Sequence, residues 1–454
     1  MQFNFPKFNS LRTLRPYIDR RLLISSAIVA AGFFFSKVLG LLREILIART
    51  FGTRGDLDAF FAATQFSDLL FAVIAGGALA SVFIPVFSGY LVLDQESRPT
   101  GWEFASAVVN DVFLLVTCFA VLGMIFAQPI TDYFLAPGFP PERRALAADL
   151  LRLVLLATII FGVSGTLTGI LHAHNHFILP ALAPSLYNLG IIGGAVFLAP
   201  RIGIFGLAYG VVAGSALHLA IQLPGLVRYG ARYFFTLGLR HTGMSSLLAL
   251  LGPRVVTMIA VRVTWIIMTN MASRLGEGSV SALSYAYSIW QFPESLIGTA
   301  IALAAFPRLS ALASENKVAE LRAQYRVALA AILGLAIPAT LALVVFAQPI
   351  VALLLQRGAF GGASTELVAT VLQFYALAVV GESLLELTAR VFYAQRDACT
   401  PMFIAIVAMT LRAALIVWWS NTFGVAGIAL AYAVGVTVES CALWWLAQAR
   451  GGRL

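Results

Sequence analysis

Three cations lie inside long apolar stretches of the sequence, where a charge is costly. Lys37, Arg43 and Arg262 each fall within a run long enough to cross a bilayer. A cation at the centre of such a span costs at least ~2.5 to 3.5 kcal/mol, so it faces a water-filled cavity or a partner and not lipid. Arginine suits phosphate, because its planar guanidinium donates two parallel hydrogen bonds. These residues are therefore candidates for binding an anion.

Other charged residues in apolar runs have plainer explanations. Arg152 and Arg254 lie near predicted span ends, from which a long side chain reaches the interface. Lys37 and Glu44 are seven residues apart on one helix face, so an internal ion pair is the alternative for Lys37.

Carboxylates at or within the spans are the second group of candidates. Each could bind a proton or a cation during transport, or neutralise an arginine. Arg412, for example, is expected to pair with Glu382 or Glu386. The acids are Asp58, Asp68, Asp111, Glu294, Glu382, Glu386 and Glu439. The candidate gating or ion-pair residues are Glu44, Glu294, Glu382, Glu386 and Arg412.

Motifs for catalysis are missing from the sequence. It contains no phosphate-cradling glycine loop, nucleophile elbow or carboxylate pair with a cofactor motif. A metal site at the alternating His172, His174 and His176 would need an extended backbone and a fourth ligand. The three cysteines are widely separated. We therefore predict neither an enzyme nor a cofactor nor a metal site.

The elements that must position these residues are membrane helices. The 454-residue chain is 60% hydrophobic and 11% charged, whereas soluble domains are about 25% charged. Apolar runs of roughly 20 residues recur along the chain without period-2 alternation, which favours helices over a barrel. We predict an all-α integral membrane protein of about twelve transmembrane helices. The spans are predicted near 22–50, 58–92, 103–129, 145–172, 179–199, 203–227, 247–272, 280–311, 322–347, 366–394, 401–420 and 424–447.

The distribution of Lys and Arg predicts the orientation. The tail 1–21 and the loops on its side carry more of these cations than the opposite loops, which predicts that both termini are cytoplasmic. We interpret 1–21 as a cytoplasmic tail before a retained first span, because no clean cleavage site follows it. Topology therefore accounts for most of the net charge of +9, and no nucleic-acid partner is predicted.

The two halves of the sequence resemble each other at an offset of about 220 residues. The matched positions include FAQPI at 126–130 and 346–350, Gly138 with Gly358, Pro180 with Pro401, Gly203 with Gly424, and 76–85 with 298–307. Gly76, Pro85, Gly298 and Pro307 allow either helix bends or close helix packing. The predicted units are a six-helix bundle at 22–228, a cytoplasmic linker at 229–246 and a second bundle at 247–454.

Six spans per copy make the copies parallel repeats, an arrangement that places substrate at the interface between the two bundles. The first and seventh spans are then equivalent. Lys37, Arg43 and Arg262 are therefore expected to converge on one central cavity with a positive potential.

Several motifs resemble the MurJ (MviN) family of lipid II flippases over nearly the whole chain. They are 36–52 (SKVLGLLREILIARTFG), Asp58–Phe61, Phe83–Val86, Asn175–Pro184, Gln222–Pro224, Gly278–Tyr287 and Gln291–Pro293. The resemblance implies two bundles in a V around a cationic cavity and alternating access that moves undecaprenyl-linked peptidoglycan precursor outward. It further implies a location in the bacterial inner membrane, with membrane lipids and cell wall synthesis proteins as partners.

Within this resemblance, Lys37, Arg43 and Arg262 become candidates for binding pyrophosphate, and Asp58 for orienting substrate or gating. The sequence also departs from the family. Phe71 and Ser288 stand where family arginines are expected, and typical members continue through roughly two more helices. Export of another lipid-linked oligosaccharide or amphipathic compound, or a non-transporting scaffold, therefore stays an alternative. Membrane potential, sodium and protons all fit as the driving force.

Overall fold

The computed structural model describes residues 20–74, 83–90, 100–238 and 242–449. Within these ranges the chain is helical and contains no β-strand, which confirms the predicted all-α membrane class. Most of the predicted tail 1–21 and residues 239–241 of the predicted linker lie outside them, as do Gly76 and the side chain of Arg254.

Eleven long helices in the described residues carry the architecture. They are α1 (Arg20–Phe51), α2 (Gly55–Ile74), α3 (Thr100–Ile125), α4 (Pro141–Ala173), α5 (Ile178–Ile202), α6 (Phe205–Arg228), α7 (Thr242–Ser273), α8 (Ser279–Ser314), α9 (Val318–Val345), α10 (Gly362–Ala394) and α11 (Cys399–Ala449). A further helical segment covers 83–90, and two short stretches, Ala127–Leu135 and Ala347–Leu355, follow α3 and α9.

Nine helices within the described ranges are long and apolar enough to cross a membrane. They include α11, whose 51 residues would measure about 75 Å as one straight helix. Instead α11 turns back at Gly424, which has a φ of 61° and a ψ of −142°. The two arms of α11 are then antiparallel, because Gly427 packs against Trp419 and Gly435 against Arg412. The predicted number of twelve spans stays a prediction.

Matching backbone breaks support the predicted duplication. Gly203, at the turn between α5 and α6, has a φ of 61° and a ψ of −141°, almost the values of Gly424. Only glycine adopts this region without strain, so both hairpins need glycine at the same place. Asn175 and Arg396 also have matching positive φ angles, of 58° and 62°.

The halves meet through α2, which packs against α4 of its own half and against α7 and α8 of the other. Each half also sends a short helical stretch to the other: Ala347–Leu355 contacts α1, and Ile130–Leu135 contacts α7. One buried apolar core continues through both halves, with Leu57, Ala272 and Tyr285 among its fully buried members. The first two helices of each half thus contact the other half.

Candidate functional site

A cavity of about 330 Å³ lies between the two halves. Its lining residues come from α1, α2, α5 and α6 of the first half and from α7 and α8 of the second. The described charged and polar residues that line it are Arg43, Glu44, Thr64, Gln65, Asp68, Arg262, Ser284 and Ser288. Five aromatic rings also line it, those of Phe60, Phe61, Tyr187, Trp265 and Tyr287.

Arg43 is held firmly at the wall of this cavity. Its guanidinium donates to Asn188 Oδ1 at 3.0 Å and to Glu44 Oε1 at 2.6 Å. Asn188 in turn donates to the carbonyl of Ser36 at 3.1 Å, so α5 fixes both the α1 backbone and its arginine. These bonds use two of the five N–H donors of a guanidinium. Among the described residues nothing accepts from the remaining donors, which leaves them available to an anion.

Arg262 reaches the same cavity from α7 and is held loosely. Its nearest carboxylate oxygen is Asp68 Oδ2 at 3.6 Å, beyond hydrogen-bonding distance. The two side chains are 34% and 52% exposed. Arg43 and Arg262 thus line one cavity, but each has an acid beside it. The formal charge of the described lining therefore balances, where the sequence predicts a positive cavity.

Lys37 lies away from the described cavity lining, and its side chain is exposed. Lys37 and Arg43 are six residues apart, which rotates them by about 240° around a helix and turns them to different faces. The Lys37 ammonium instead interacts electrostatically with Glu294 of α8. The alternative interpretation paired Lys37 with Glu44. In the structure Glu44 instead pairs with its neighbour Arg43.

Asp58 is completely buried and lies in the first turn of α2, outside the described cavity lining. Its carboxylate accepts hydrogen bonds from the backbone N–H of Gly278 at 2.6 Å and of Ser281 at 2.7 Å, and from the Ser281 hydroxyl at 2.6 Å. These donors belong to the first turn of α8, whose N–H groups need acceptors and whose dipole favours an anion. Asp58 thus lies outside the described cavity lining, and its role in orienting substrate or in gating stays a prediction.

Glu277 makes the reciprocal contact. Its Oε1 accepts the N–H of Gly55, the first residue of α2, at 2.7 Å, and its Oε2 lies 3.0 Å from Arg143. The hydrogen bond from Gly55 and the charge of Arg143 lower the pKa of the Glu277 carboxyl. Glu277 was not among the candidates predicted from the sequence, although its place just before a predicted helix start was a signal.

Further contacts join the halves in the same layer. We call this layer the closed face and define it as 49–58, 134–143, 270–281 and 357–364. Ala359 donates its N–H to the carbonyl of Arg49 at 2.8 Å. The hydroxyl groups of Thr53 and Ser364 are 2.8 Å apart. Gly138 donates its N–H to the Ser273 hydroxyl at 3.1 Å. The closed face therefore seals one side of the interface between the halves.

A second polar cluster lies within the second half. Arg412 pairs with Glu439 at 3.1 Å, and both side chains are 7% exposed. The guanidinium also lies 4.7 Å from the ring centroid of Tyr432, whose hydroxyl donates to Glu382 at 3.3 Å. The hydrogen-bonded partner of Arg412 is thus Glu439, and not Glu382 or Glu386 as the sequence suggests. The antiparallel arms of α11 bring Glu439 to Arg412 first, because Gly435 leaves room for the arginine stem.

The remaining candidate acids also lie outside the described cavity lining. Glu386 pairs with Arg390 one turn along α10. Glu294 accepts a hydrogen bond from Thr299 at 3.1 Å. Of the two positions that depart from the family pattern, Ser288 lines the cavity, whereas Phe71 packs edge-on against Phe161. Asp68 lies beside an arginine, which is one of the roles predicted for the acids in the spans, whereas no sequence pattern pointed to Asn188.

Comparison with known proteins decides the family. The sequence profile described as "Lipid II flippase MurJ" matches residues 47–453. The chain belongs to the MurJ family. A lipid II flippase MurJ from Burkholderia cenocepacia is 31% identical over 438 residues, which cover 94% of this chain and 84% of that protein. A probable lipid II flippase MurJ from Thermotoga maritima is 30% identical, and the match covers 89% of this chain and 80% of that protein.

Solved structures agree with membership in the MurJ family. A lipid II flippase MurJ in an inward closed conformation superposes with a TM-score of 0.82 at 26% identity, over 93% of this chain and 87% of that one. An inward-facing multidrug transporter of the MATE family superposes with a TM-score of 0.75 at 16% identity, over 91% of this chain and 94% of that one. The second likeness shows a shared fold. The protein is thus a multi-pass membrane protein of a transporter family.

Proposed function

We propose that this protein moves a lipid-linked peptidoglycan precursor, lipid II, from the inner to the outer leaflet by alternating access. The observation that carries the proposal is that Arg43 and Arg262, from different halves, line one cavity beneath a closed face. A site divided between two bundles is the arrangement that rocking transporters use. The relatives named as lipid II flippases supply the substrate. The protein acts as a transporter and not as an enzyme.

The chemistry of the cavity suits the pyrophosphate of an undecaprenyl-linked substrate. Two guanidinium groups provide planar, forked donors that match phosphate oxygens. The polar side chains of Gln65 and Ser284 and the ring of Trp265 line the same space and would contact the headgroup. The polyprenyl tail would stay among the membrane lipids, so only the headgroup would cross through the protein. This division limits how much polar surface has to pass the bilayer.

Asp58 and Glu277 would act as the gate. Each accepts hydrogen bonds from the first residues of a helix in the other half. These bonds therefore form only while the two halves are in contact at the closed face. Transport would require both carboxylates to release their partners and bind them again. Glu44, Glu294, Glu382, Glu386 and Arg412 would serve as gating or ion-pair residues.

We further propose that the closed face points away from the cytoplasm in a bacterial inner membrane. The amino-terminal tail and the loops on its side carry more Lys and Arg than the loops of the closed face. This excess supports an orientation with both termini cytoplasmic. The moving bundles would be 22–228 and 247–454, joined by the linker 229–246. Cell wall synthesis proteins would receive the substrate at the outer face.

A complementation experiment tests this proposal. A bacterium is depleted of its own lipid II flippase, this protein is expressed, and the exposure of lipid II headgroups at the outer surface is measured. We expect rescue by the native sequence and its loss in Arg43→Ala and in Arg262→Ala, with all three proteins present at equal levels in the membrane. Arg152→Ala is the matched control, because Arg152 pairs with Asp149 outside the cavity lining.

Failure to rescue would reject the lipid II assignment. Transport of another lipid-linked oligosaccharide or of an amphipathic compound under the same conditions would then identify an exporter. Inertness in both assays would identify a membrane scaffold that shares the fold. Rescue that survives both arginine substitutions would reject the roles proposed for Arg43 and Arg262.

A further inference from the structure

Two carboxylates lie in the described cavity lining, and Asp68 is the one that makes no hydrogen bond to its neighbouring arginine, Arg262. Asp68 lies on α2, ten residues and about 15 Å beyond Asp58, and half of its side chain is exposed to the cavity. Glu44, the other lining acid, is 10% exposed and bonded to Arg43 at 2.6 Å. The two acid and arginine pairs of the cavity are therefore built differently.

Arg43 is fixed by its hydrogen bonds, whereas Arg262 is free to exchange its acidic partner for another anion. Arg43 has two short hydrogen bonds, one of them to the Asn188 amide, which is itself fixed to α1. Arg262 has a carboxylate at 3.6 Å and no closer acceptor among the described hydrogen bonds. A solvent-exposed ion pair of this kind is weak, whereas a forked guanidinium–phosphate contact is strong. A phosphate that enters the cavity can thus take Arg262 from Asp68.

We infer that Asp68 is an internal competitor of the substrate for Arg262. In the empty cavity it neutralises the guanidinium, and a phosphate group of the substrate displaces it. When the substrate leaves, Asp68 returns to Arg262 and opposes rebinding. This inference rests on the proposed function and assigns Asp68 a positioning role that acts through Arg262.

Competition of this kind has a definite consequence. Removal of the Asp68 charge should strengthen binding of the anion, because nothing has to be displaced from Arg262. The same change should slow release, because nothing replaces the departing phosphate. A residue that bound the substrate directly would produce the opposite change in affinity, and a residue that only held the fold would lower both binding and transport.

The test uses the full chain, purified in detergent for binding and reconstituted in vesicles for transport. Inorganic pyrophosphate is the binding probe, and flipping of lipid II is measured separately. We expect Asp68→Asn to bind pyrophosphate roughly threefold to tenfold more tightly, as the loss of a weak competing pair predicts. Its maximal rate of lipid II flipping should fall while the half-saturating concentration also falls. Asp149→Asn, which changes an exposed carboxylate on α4 that pairs with Arg152 outside the described lining, is the charge-matched control and should change neither.

A double-mutant cycle separates competition from a general change of electrostatic potential. In an Arg262→Gln background, Asp68→Asn should leave the affinity for pyrophosphate unchanged. A gain in affinity of the same size in that background would overturn the inference, as would equal affinities of the native protein and Asp68→Asn. These binding results are independent of flipping. If the native protein binds pyrophosphate in the expected pattern but flips no lipid II, the proposed function fails and the competition stands.

Discussion

Asp58 and Glu277 cap each other's helices across the two halves of the protein. Asp58, on α2, accepts the N–H groups of Gly278 and Ser281 at the start of α8, and Glu277, just before α8, accepts the N–H of Gly55 at the start of α2. Neither carboxylate reaches these donors unless the halves touch. The closed face is therefore stabilised by two matched contacts of opposite direction.

Loss of the Asp58 charge should shift the protein toward a conformation in which the closed face is open. Asp58→Asn weakens three hydrogen bonds to a charged acceptor, which we expect to cost the closed conformation roughly 2 kcal/mol. Ser281→Ala removes only the hydroxyl donor and should cost about 1 kcal/mol. Spin labels on the exposed positions Glu142 and Gln356, after replacement of the three free cysteines by serine, would report the distance between the halves. Unchanged distance distributions in both variants would contradict the gating role.

Acid should weaken the closed face through Glu277. Its pKa is lowered from the ordinary 4.5, so its contribution is complete above that value and is lost as the pH falls through the lowered pKa. Because the side chain is 54% exposed, we expect a change of less than about 1 kcal/mol. The same spin-label distances, measured from pH 7 down to pH 3, should lengthen at the acid end. Glu277→Gln has no carboxylate to protonate, so the distances should lengthen less at acid pH in this variant. Equal lengthening in the variant and the native protein would refute the assignment.

A side chain at Gly358 should prevent the halves from closing. A Cβ atom there would lie 2.4 Å from the carbonyl oxygen of Arg49, and the φ of 62° already disfavours any other residue. Gly358→Ala should therefore abolish lipid II flipping while the protein still folds, because the clash arises only between the halves. Gly362→Ala is the matched control, because a Cβ at Gly362 meets no atom within 4 Å. Equal flipping rates in the two variants would refute this prediction.

The buried pair in the second half should be important for stability and not for binding. Arg412→Leu leaves Glu439 as a buried charge without its cation, which costs roughly 3 to 5 kcal/mol. The double change Arg412→Leu with Glu439→Leu should recover much of that loss, because it removes both charges. Thermal unfolding in detergent measures both effects. A lower affinity for pyrophosphate at normal stability would instead assign Arg412 to the substrate site.

Properties that follow from the period of one helix or from the internal repeat were predictable from the sequence. The long apolar runs predicted the helices, and the glycine pair Gly203 and Gly424 marked equivalent hairpins whose backbone angles agree. The meeting of Arg43 and Arg262 followed from the equivalence of the first and seventh spans. Each of these inferences needed only the period of a helix or the offset of the repeat.

Contacts that depend on the rotation and depth of two helices were not predictable. Arg412 had carboxylates available on α10 and on the second arm of α11, and only packing at Gly435 selects Glu439. From the sequence, Asp58 is an ordinary acid in the first turn of its own helix. In the structure its carboxylate accepts hydrogen bonds from the start of a helix that begins about 220 residues later. No local pattern encodes such a partner.

The two opposed caps also determine what replaces them during opening. When the halves part, the helix starts at Gly55 and Gly278 lose their acceptors at the same moment, and no other carboxylate in the described residues accepts their N–H groups. Water has to hydrate both helix starts before the exit path forms. Entry of solvent into the separating seam is therefore part of the rate of opening, and conditions that withdraw water from the protein surface favour the sealed conformation.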